Sequence, residues 1–427
     1  MERRSIRIIS FGMAALLTLL GFAGGARFKA DHYRRQVELG YYQSLQEAAA
    51  YLNDAAIELQ KAAYAGTPAQ TVQLSAYVYR DTSGAKAALS RLPVAGAALE
   101  DANRFLSQTG EYALYLQSKA VLHQDITEED MENLDGLADC TRELGAQLAG
   151  LEQLCGGDGA ALEDLLSMGF SAQPAARSLN DSGDVPFSNA PLSREPQMTK
   201  DKETLSRNEA LLRAAQFAGA SSWEMGYGTD EDSSMPSYSF HTGTMDILVT
   251  KEGGYISCLL DAREVGERTL TAGEARDAAR RYLEDRDIGA VQETRYEIAN
   301  GVCTVSYAHT SQDVLCYPDL IKVGVGMDTG GVVMFDSRAY LANHCERTFP
   351  SPVLTGEQAA DVLNPSLRPQ GCQLAVIPSA GGGEVLTYEF LCESERGDRL
   401  LVYVDANTGA EEEIFLLLET ENGVLTV

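Results

Sequence analysis

The sequence has little positive charge. It contains 34 lysine and arginine residues against 62 aspartate and glutamate residues, which gives a formal net charge of −28 at pH 7. Nucleic acids and anionic membrane surfaces are bound through basic surfaces. The sequence therefore predicts that this protein binds no nucleic acid, and its acidity mainly favours solubility.

The sequence also lacks the common motifs of enzymes. It contains no HExxH zinc motif, no GxSxG nucleophile elbow and no Walker-type GxxxxGK[ST] loop. The nearest approach to a metal-ligand cluster is Cys303, His309 and Cys316, with His344-Cys345 further along. Because this spacing fits no familiar zinc motif, strand alternation explains the cysteines better.

Two other groups of polar residues imitate functional sites. Glu128/Glu129 and Glu411–Glu413 resemble paired glycosidase acids, but in a chain this acidic we interpret them as solvated faces. Asp328-Thr329-Gly330 and Asp405 to Gly409 resemble ligand loops, yet hairpin turns need the same residues for backbone reasons. We therefore predict no enzyme activity, no catalytic or metal-binding residue and no cofactor.

None of the eight cysteines belongs to a CxxC pair. An even number of cysteines outside the cytoplasm permits disulfides, whose pairing the sequence does not reveal. Half of them lie inside apolar, strand-like runs, where buried free thiols are the favoured interpretation. These are Cys258, Cys303, Cys316 and Cys392.

Tryptophan occurs only once, as Trp223. It follows a predicted helix at the point where that helix should run into a sheet. Large aromatic side chains are mostly packed in cores. We therefore predict a packing role for Trp223, within the core or between repeats, in preference to a partner contact.

One long apolar run, Ile6–Ala26, is present. Its uncharged part nearly matches the hydrocarbon thickness of a bilayer, which favours a transmembrane anchor with the remaining chain outside the cytoplasm. A cleaved signal peptide is the alternative, because Ala23-Gly24-Gly25-Ala26 offers small residues for processing. Basic residues flank the run on both sides, so the positive-inside rule barely distinguishes the two orientations.

Residues 36–155 have the apolar periodicity of helices. Leucine and alanine recur at helical spacing, which gives each helix one apolar face and indicates a bundle or a coiled coil. The pattern predicts helices over 36–64, 68–91, 96–121 and 128–154. Thr67, Pro68 and Gln70 form a helix start with a capping box, and Pro93 interrupts the second helix.

Residues 171–200 carry four prolines among serine, asparagine, aspartate and glycine residues, which indicates a linker. Beyond it, three segments share a pattern in which serine or threonine precedes glutamate or glutamine by three positions. This pattern predicts three capping boxes, each opening a short helix. The segments begin at Leu205, Leu270 and Leu354.

Strand-like segments separated by glycine-containing turns follow each capped helix. The turns at Lys251–Gly254, Asp328–Gly331 and Asp405–Gly409 predict hairpins, because glycine readily adopts positive φ. We therefore predict three tandem α+β repeats of a helix plus an antiparallel sheet. The predicted strands are Met245–Thr250, Tyr255–Leu260, Val302–Ala308, Ile321–Val325, Val332–Phe335, Val385–Phe390, Leu400–Val404 and Glu413–Leu418.

The chain resembles the YpeB-type spore germination proteins. The helical segment carries the closest likeness, and the repeats resemble PepSY domains. The residues that carry it are Leu59-Gln60-Lys61-Ala62, Thr67-Pro68-Ala69-Gln70, Leu74-Ser75-Ala76 and Leu99 with Asn103 through Tyr112. The resemblance implies an α+β multidomain chain: a transmembrane helix, an all-α helical bundle or coiled-coil head, and three tandem PepSY-like repeats.

By that resemblance we expect a protein of the inner spore membrane, single-pass, with its bulk facing the cortex. It would bind, localise and stabilise a cortex-lytic enzyme of the SleB type, and it could form a homo-oligomer through the head. Exposed strand edges offer β-augmentation as a binding mode. A PepSY-based peptidase inhibitor and an extracytoplasmic sensor are the alternatives.

The predicted domains follow from these boundaries. They are a transmembrane anchor (1–30), a helical bundle (31–165), a flexible linker (166–203) and three repeats (204–269, 270–353 and 354–427). The resemblance also implies proteolytic processing between the head and the repeats during germination, and the 171–200 segment is where a protease would cut most easily.

Overall fold

The computed structural model describes residues 29, 32, 33, 36, 39–92, 97–124, 126–156, 196–379, 383–420 and 423–426. The predicted anchor, Pro93 and most of the predicted linker lie outside these residues. Within them, no helix is both long and apolar enough to cross a membrane. The chain forms two compact units, a helical unit from Met1–Ala63 with Thr71–Leu179 and a sheet unit from Tyr64–Gln70 with Asn180–Val427.

The helical unit contains the helices that the apolar periodicity predicts. They are α1 (39–63), α2 (Pro68–Leu89), α3 (Ala97–Val121) and α4 (Glu128–Gly156). All four contribute buried side chains to one core, so these stripes pack within a single chain. That core comprises Leu45, Ala48, Leu52, Ala85, Ala88, Leu89, Leu92, Ala102, Leu106 and Leu148.

Local capping chemistry fixes the start of α4. The Asp130 amide donates to Thr127 Oγ1 at 3.2 Å, and Asp130 Oδ2 accepts from the Thr127 amide at 2.8 Å. Three acidic residues occupy the first turn, where the helix dipole favours negative charge. Asp130 also pairs with Lys119 near the end of α3. Burial opposes ionisation of Asp130, but these hydrogen bonds prevail and lower its pKa to about 2.

The capping box predicted at the start of α2 forms only in part. The Gln70 amide donates to Thr67 Oγ1 at 3.3 Å, as expected for an N-cap. The side-chain amide of Gln70 is buried and finds no hydrogen-bond partner within the described residues. The Thr67 amide instead donates to Glu411 at 3.0 Å, so a distant carboxylate takes the role predicted for Gln70.

The sheet unit contains three helix-and-strand repeats. Its helices are α5 (Arg207–Ala218), α6 (Ala272–Glu284), α7 (Arg338–Asn343) and α8 (Gly356–Ala360), with a 3-10 helix at Ser222–Glu224. Its strands are β1 (Gly226–Tyr227), β2 (Ser237–Thr242), β3 (Met245–Thr250), β4 (Ile256–Asp261), β5 (Val291–Ala299), β6 (Val302–Ser311), β7 (Val314–Gly326), β8 (Val332–Asp336), β9 (Leu367–Pro378), β10 (Glu384–Ser394), β11 (Arg399–Asp405), β12 (Glu411–Thr420) and β13 (Gly423–Thr426). The first repeat is α5 with β1–β4, the second α6 with β5–β8 and α7, and the third α8 with β9–β13.

The strands of all three repeats are joined into one sheet. Its order is β1-β2-β3-β4-β8-β7-β6-β5-β13-β12-β11-β10-β9, and neighbours in this order are antiparallel. In addition β9 pairs with β7 in parallel, with Leu315 opposite Ala375. The strand pairings therefore run from β7 through β6, β5, β13, β12, β11 and β10 to β9, and the pairing of β9 with β7 closes this path into a ring.

The three predicted capping boxes are confirmed. The side chains of Ser206, Thr271 and Thr355 each accept a hydrogen bond from the backbone N–H three residues on. In return, the side chains of Glu209, Glu274 and Gln358 accept a hydrogen bond from the backbone N–H of the capping residue. Each helix starts where its local sequence places it. Of the glycines in the predicted hairpin turns, Gly253, Gly254, Gly330 and Gly409 adopt positive φ, for example +76° at both Gly253 and Gly330, whereas Gly331 does not.

Substituting one cap tests this local contribution. Thr271→Ala is expected to destabilise the sheet unit by about 1 kcal/mol, because the Glu274 amide loses its acceptor. Thr271→Ser retains a hydroxyl and should differ little from the parent. Hydrogen exchange of buried β7 amides, compared among the three proteins, measures the change. Equal stability of the alanine and serine variants would contradict the prediction.

The repeats share hydrophobic cores. One core combines residues of α5, β2–β4, α6 and β6–β8, and so spans the first and second repeats. Within it, the Phe217 and Phe335 rings lie 5.1 Å apart, and Tyr282 packs against both rings. A second core joins the second and third repeats and contains Ala308, Leu315, Tyr317, Leu320, Ala375, Ile377 and Tyr403. The repeats are thus joined by shared hydrophobic cores and are not independently packed domains.

Candidate interaction site

The residues that most resembled metal ligands in the sequence do not form a metal site. Within the described residues, no group of three or more His, Cys, Asp or Glu side chains is arranged to hold an ion. Cys303 lies in the core of the first two repeats, whereas His309 and Cys316 lie opposite one another on β6 and β7. Strand alternation accounts for the buried position of Cys303 at the start of β6, whereas Cys316 lies in a stretch of β7 that is buried at every position from Val314 to Ile321.

The thiols predicted to be buried have the expected environment. Cys303, Cys316 and Cys392 are buried free thiols, and Cys258 is half-buried. Burial raises the pKa of Cys303 to about 11 and those of Cys316 and Cys392 to about 12. Since the thiolate is the nucleophile and the metal ligand, these groups are poorly suited to either task. Cys140, Cys345 and Cys372, in contrast, are exposed free thiols.

A partly buried ion-pair network, with Asp319 buried and Glu384 exposed, connects the second and third repeats. Asp319 of β7 is fully buried and accepts from Arg347 at 2.6 and 2.8 Å. Arg347 also donates to Glu384 of β10 at 2.8 Å from each of two nitrogens. The arginine thus holds two carboxylates on different repeats, and we call Asp319, Arg347, Glu384 and His344 the Arg347 network.

His344 links this network to a second imidazole. Its Nδ1 lies 2.7 Å from Asp319 Oδ2, and its ring stacks on Tyr340. The His309 ring meets the His344 ring edge-on, with centroids 4.6 Å apart. Burial and, as the next largest cause, the neighbouring His344 lower the pKa of His309 and so disfavour its charged form. The two histidines therefore pack against each other in the second repeat, where His344 joins the Arg347 network through Asp319.

A second buried polar group lies in the same region. Glu389 of β10 accepts from the Tyr317 hydroxyl at 2.6 Å and from the Gln373 side-chain amide at 2.7 Å. Burial and the adjacent carboxylate raise the pKa of Tyr317 well above its usual value. These hydrogen bonds satisfy a buried carboxylate, which would otherwise be costly. The cluster thus positions strands of the second and third repeats.

The prediction that Trp223 packs in the core is wrong. Trp223 is 81% exposed, whereas the partly buried Phe217 packs against the core that the first and second repeats share. The 3-10 helix that carries Trp223 contributes no buried residue. Its box, with the Ser221 amide donating to Glu224 at 2.9 Å, turns the chain at the surface.

Other large apolar side chains are exposed in the same stretch of the first repeat. Leu212 on α5 is 59% exposed and Tyr227 on β1 is 55% exposed. The Arg207 guanidinium lies 5.7 Å from the Tyr227 ring, a distance typical of cation–π contacts. We call Leu212, Trp223, Tyr227 and Arg207 the Trp223 surface. Tryptophan, tyrosine and arginine are the residues most enriched at binding hot spots.

Family models match both halves of the chain. The YpeB N-terminal model matches residues 29–163, and the model of the YpeB sporulation PepSY1 and PepSY2 domains matches residues 177–350. Two relatives named Sporulation protein YpeB match about nine-tenths of the chain, as detailed below. The chain belongs to the YpeB family.

The relatives of this YpeB-family chain are distant but nearly colinear with it. The protein from Halalkalibacterium halodurans is 24% identical over 90% of this chain and 91% of its own length. That from Oceanobacillus iheyensis is 24% identical over 88% and 89%. The Bacillus subtilis protein is 30% identical over 42% of this chain and 40% of its own.

A solved structure, the Bacillus megaterium YpeB C-terminal domain, is also similar. It is 23% identical, with a TM-score of 0.47, and the match covers 51% of this chain and all of that one. The YpeB family models and the described elements together give a helical N-terminal region followed by a sheet-rich PepSY-like region. The third repeat lies beyond the residues matched by the PepSY1 and PepSY2 model.

The buried, hydrogen-bonded carboxylate of Glu411 was not identified from the sequence of this YpeB-family chain. Glu411, interpreted as part of a solvated face, is only 4% exposed. Its partners, Gly66 and Thr67, precede it by 345 and 344 positions. No local pattern could have linked residues so far apart, although the Gly66-Thr67-Pro68 helix start did mark one side of the contact.

Proposed function

We propose that this YpeB-family protein is a non-catalytic, membrane-anchored spore germination protein that binds, localises and stabilises a cortex-lytic enzyme of the SleB type. Family membership over both halves of the chain carries this proposal. Its setting is the inner spore membrane, with Ile6–Ala26 as a single-pass anchor and the bulk of the chain facing the cortex. The helical head offers a route to a homo-oligomer.

The Trp223 surface is the part of the sheet unit that best suits a protein partner. It presents an exposed tryptophan, leucine and tyrosine, and an arginine lies beside the tyrosine. Exposed aromatic anchors gain most of their contact energy only when a partner removes them from water. Such a surface binds another protein without needing any reactive group.

The free sheet edge is a weaker candidate for the partner contact. On the side away from β10, β9 pairs with β7 only at Leu374–Val376, which leaves its first half without a strand neighbour among the described residues. That half contains Arg368 and Pro369, and β10 is irregular opposite it, between Leu391 and Cys392. Charge, proline and bulges are devices that discourage strand addition. The proposed contact is therefore made by side chains on the first repeat.

Trp223→Ala tests the surface. We expect this variant to bind a purified SleB-type hydrolase roughly tenfold more weakly, or worse, because an anchor residue is removed. Val353→Ala is the matched control, since Val353 is an exposed apolar residue, at 73%, outside the Trp223 surface. Calorimetric titration of the parent and both variants measures the affinities. Equal binding by the parent and Trp223→Ala would exclude this surface.

The biological role has its own experiment. Deleting the gene is expected to reduce the amount of the cortex-lytic enzyme in spores, and the full-length protein should co-purify with that enzyme from spore membranes. Mass spectrometry of both preparations gives the result. Unchanged abundance of the enzyme in the deletion strain would refute the stabilising role, whatever the outcome with Trp223.

A further inference from the structure

A cradle in the third repeat holds the turn Tyr64–Thr67, which belongs to the sheet unit. Glu411 at the start of β12 forms its floor. One oxygen of Glu411 accepts from the Gly66 amide at 2.9 Å, from the Thr67 amide at 3.0 Å and from the Thr67 hydroxyl at 3.3 Å. Two consecutive backbone N–H groups are thus captured by a single carboxylate, in the manner of an anion-binding turn.

The cradle also excludes any side chain at the central position of the turn. A Cβ on Gly66 would lie 2.2 Å from the Val362 carbonyl oxygen and 2.8 Å from the Asn364 amide nitrogen. Both of these are backbone atoms, so they cannot swing away. Gly66 is absent from the described residues with positive φ, and its requirement for glycine therefore comes from the close approach and not from its own dihedral angle.

Two further hydrogen bonds hold the sides of the turn. The Asn364 side-chain amide donates to the Ala65 carbonyl at 3.2 Å. The buried Tyr64 hydroxyl donates to Asp398. Burial, and then the bond to Asp398, raise the pKa of Tyr64 to about 12, which keeps its hydroxyl protonated as a donor. The cradle therefore contacts every residue of the turn.

The electrostatics of Glu411 require N–H donors at this position. Its second oxygen, Oε1, is buried and has no hydrogen-bond partner within the described residues. Burial raises the pKa of Glu411 to about 7, although the three bonds from the turn lower it. A carboxylate removed from water is costly unless it is hydrogen-bonded. The occupied cradle supplies those bonds to the ionised side chain.

We infer that Glu411, Asp398 and the Val362–Asn364 segment form a sequence-selective binding site for a Tyr-Ala-Gly-Thr turn, occupied in this chain by Tyr64–Thr67. The ligand class is a peptide turn at a helix start, with two free N–H groups, a glycine at the point of closest approach and a tyrosine hydroxyl. The site is independent of the Trp223 surface and of any hydrolase.

Hydrogen exchange of the full chain, followed by mass spectrometry, tests this site. In the parent protein we expect the Gly66 and Thr67 amides to be protected. In Glu411→Ala, exchange at these two amides should accelerate roughly tenfold or more, because the charged acceptor is lost. Gly66→Ala should give a similar acceleration, because the added methyl group cannot fit. Protection of the buried β7 amides, measured in the same samples, distinguishes release of the turn from unfolding.

Two matched variants serve as controls. Glu412→Ala removes the adjacent carboxylate, which makes no hydrogen bond to the turn among the described residues, and Gly136→Ala adds a methyl group where there is open space. Both should retain the parent exchange rates at Gly66 and Thr67. If Glu411→Ala unfolds, Glu411→Gln keeps an acceptor oxygen without the charge and should give intermediate protection. Free-peptide exchange rates at Gly66 and Thr67 in the parent, or parent rates in folded Glu411→Ala, would overturn the inference.

Discussion

Replacing Arg347 by methionine is expected to lower the free energy of unfolding of the sheet unit by about 3–5 kcal/mol. Arg347 provides two hydrogen bonds to Asp319, which is fully buried. Without the guanidinium, the one side-chain contact that this carboxylate keeps among the described residues is with His344, whose imidazole carries a charge only when protonated. An uncompensated buried charge is among the most destabilising changes that one substitution can make. Hydrogen exchange of buried β7 amides gives the free energy of the sheet unit alone.

The control is Arg368→Met. Arg368 also pairs with a carboxylate, Glu395 at 3.0 Å, but both side chains are mostly exposed. An exposed pair contributes about 0–1 kcal/mol, so this variant should remain close to the parent. The double variant Arg347→Met with Asp319→Asn removes the orphaned charge and should lose less stability than the sum of the two single variants. Equal losses in Arg347→Met and Arg368→Met would contradict the role of the Arg347 network.

Stability should fall by about 3 kcal/mol through the titration of Glu411 as the pH rises from about 5 to about 8. Burial raises the pKa of this side chain from 4.5 to about 7. Between these values the folded chain holds a proton that the unfolded chain has released. The contribution of Glu411 is therefore fully present below about pH 4.5 and is lost as the pH rises through about 7.

Glu411→Gln isolates this effect, because glutamine does not titrate. The stability of the variant minus that of the parent should increase by about 3 kcal/mol between about pH 5 and about pH 8. Glu393→Gln, which removes an exposed carboxylate on β10, is measured alongside as the comparison variant. Urea unfolding at several pH values, with β7 exchange as the readout, makes the comparison. A pH-independent difference for Glu411→Gln would show that Glu411 ionises normally in the folded protein.

Local chemistry predicted much of the fold. The three capping boxes, β3 and most of the positive-φ turn glycines depend on residues a few positions apart, and they occur as expected, with Gly331 as the exception among the glycines. The four helices of the N-terminal region were equally readable, because an apolar stripe repeats throughout each one. The missed strands lack such signals. For example, β9 contains Pro369 and Gly371, which interrupt a strand pattern, and β5 carries charged residues along its length.

The candidate sites were less predictable, for a different reason. The partners of Glu411 and those of Arg347 lie on distant elements, and only the folded chain brings them together. Composition made Glu411 one carboxylate among 62 acidic residues. Trp223 was misassigned because large aromatic residues are usually buried, whereas its side chain is 81% exposed here. Which aromatic side chains reach a core depends on tertiary packing, and a single stretch of sequence does not reveal that packing.

The core shared by the first two repeats limits how such a module can be reused. Phe335 of the second repeat packs against Phe217 of the first, so excising either repeat would leave an apolar face open to water. A single repeat expressed alone would therefore expose an apolar face and be prone to aggregate. Duplication can give rise to an array of this kind. Once two copies share a core, however, recombination that replaces one repeat also disturbs the packing of its neighbour.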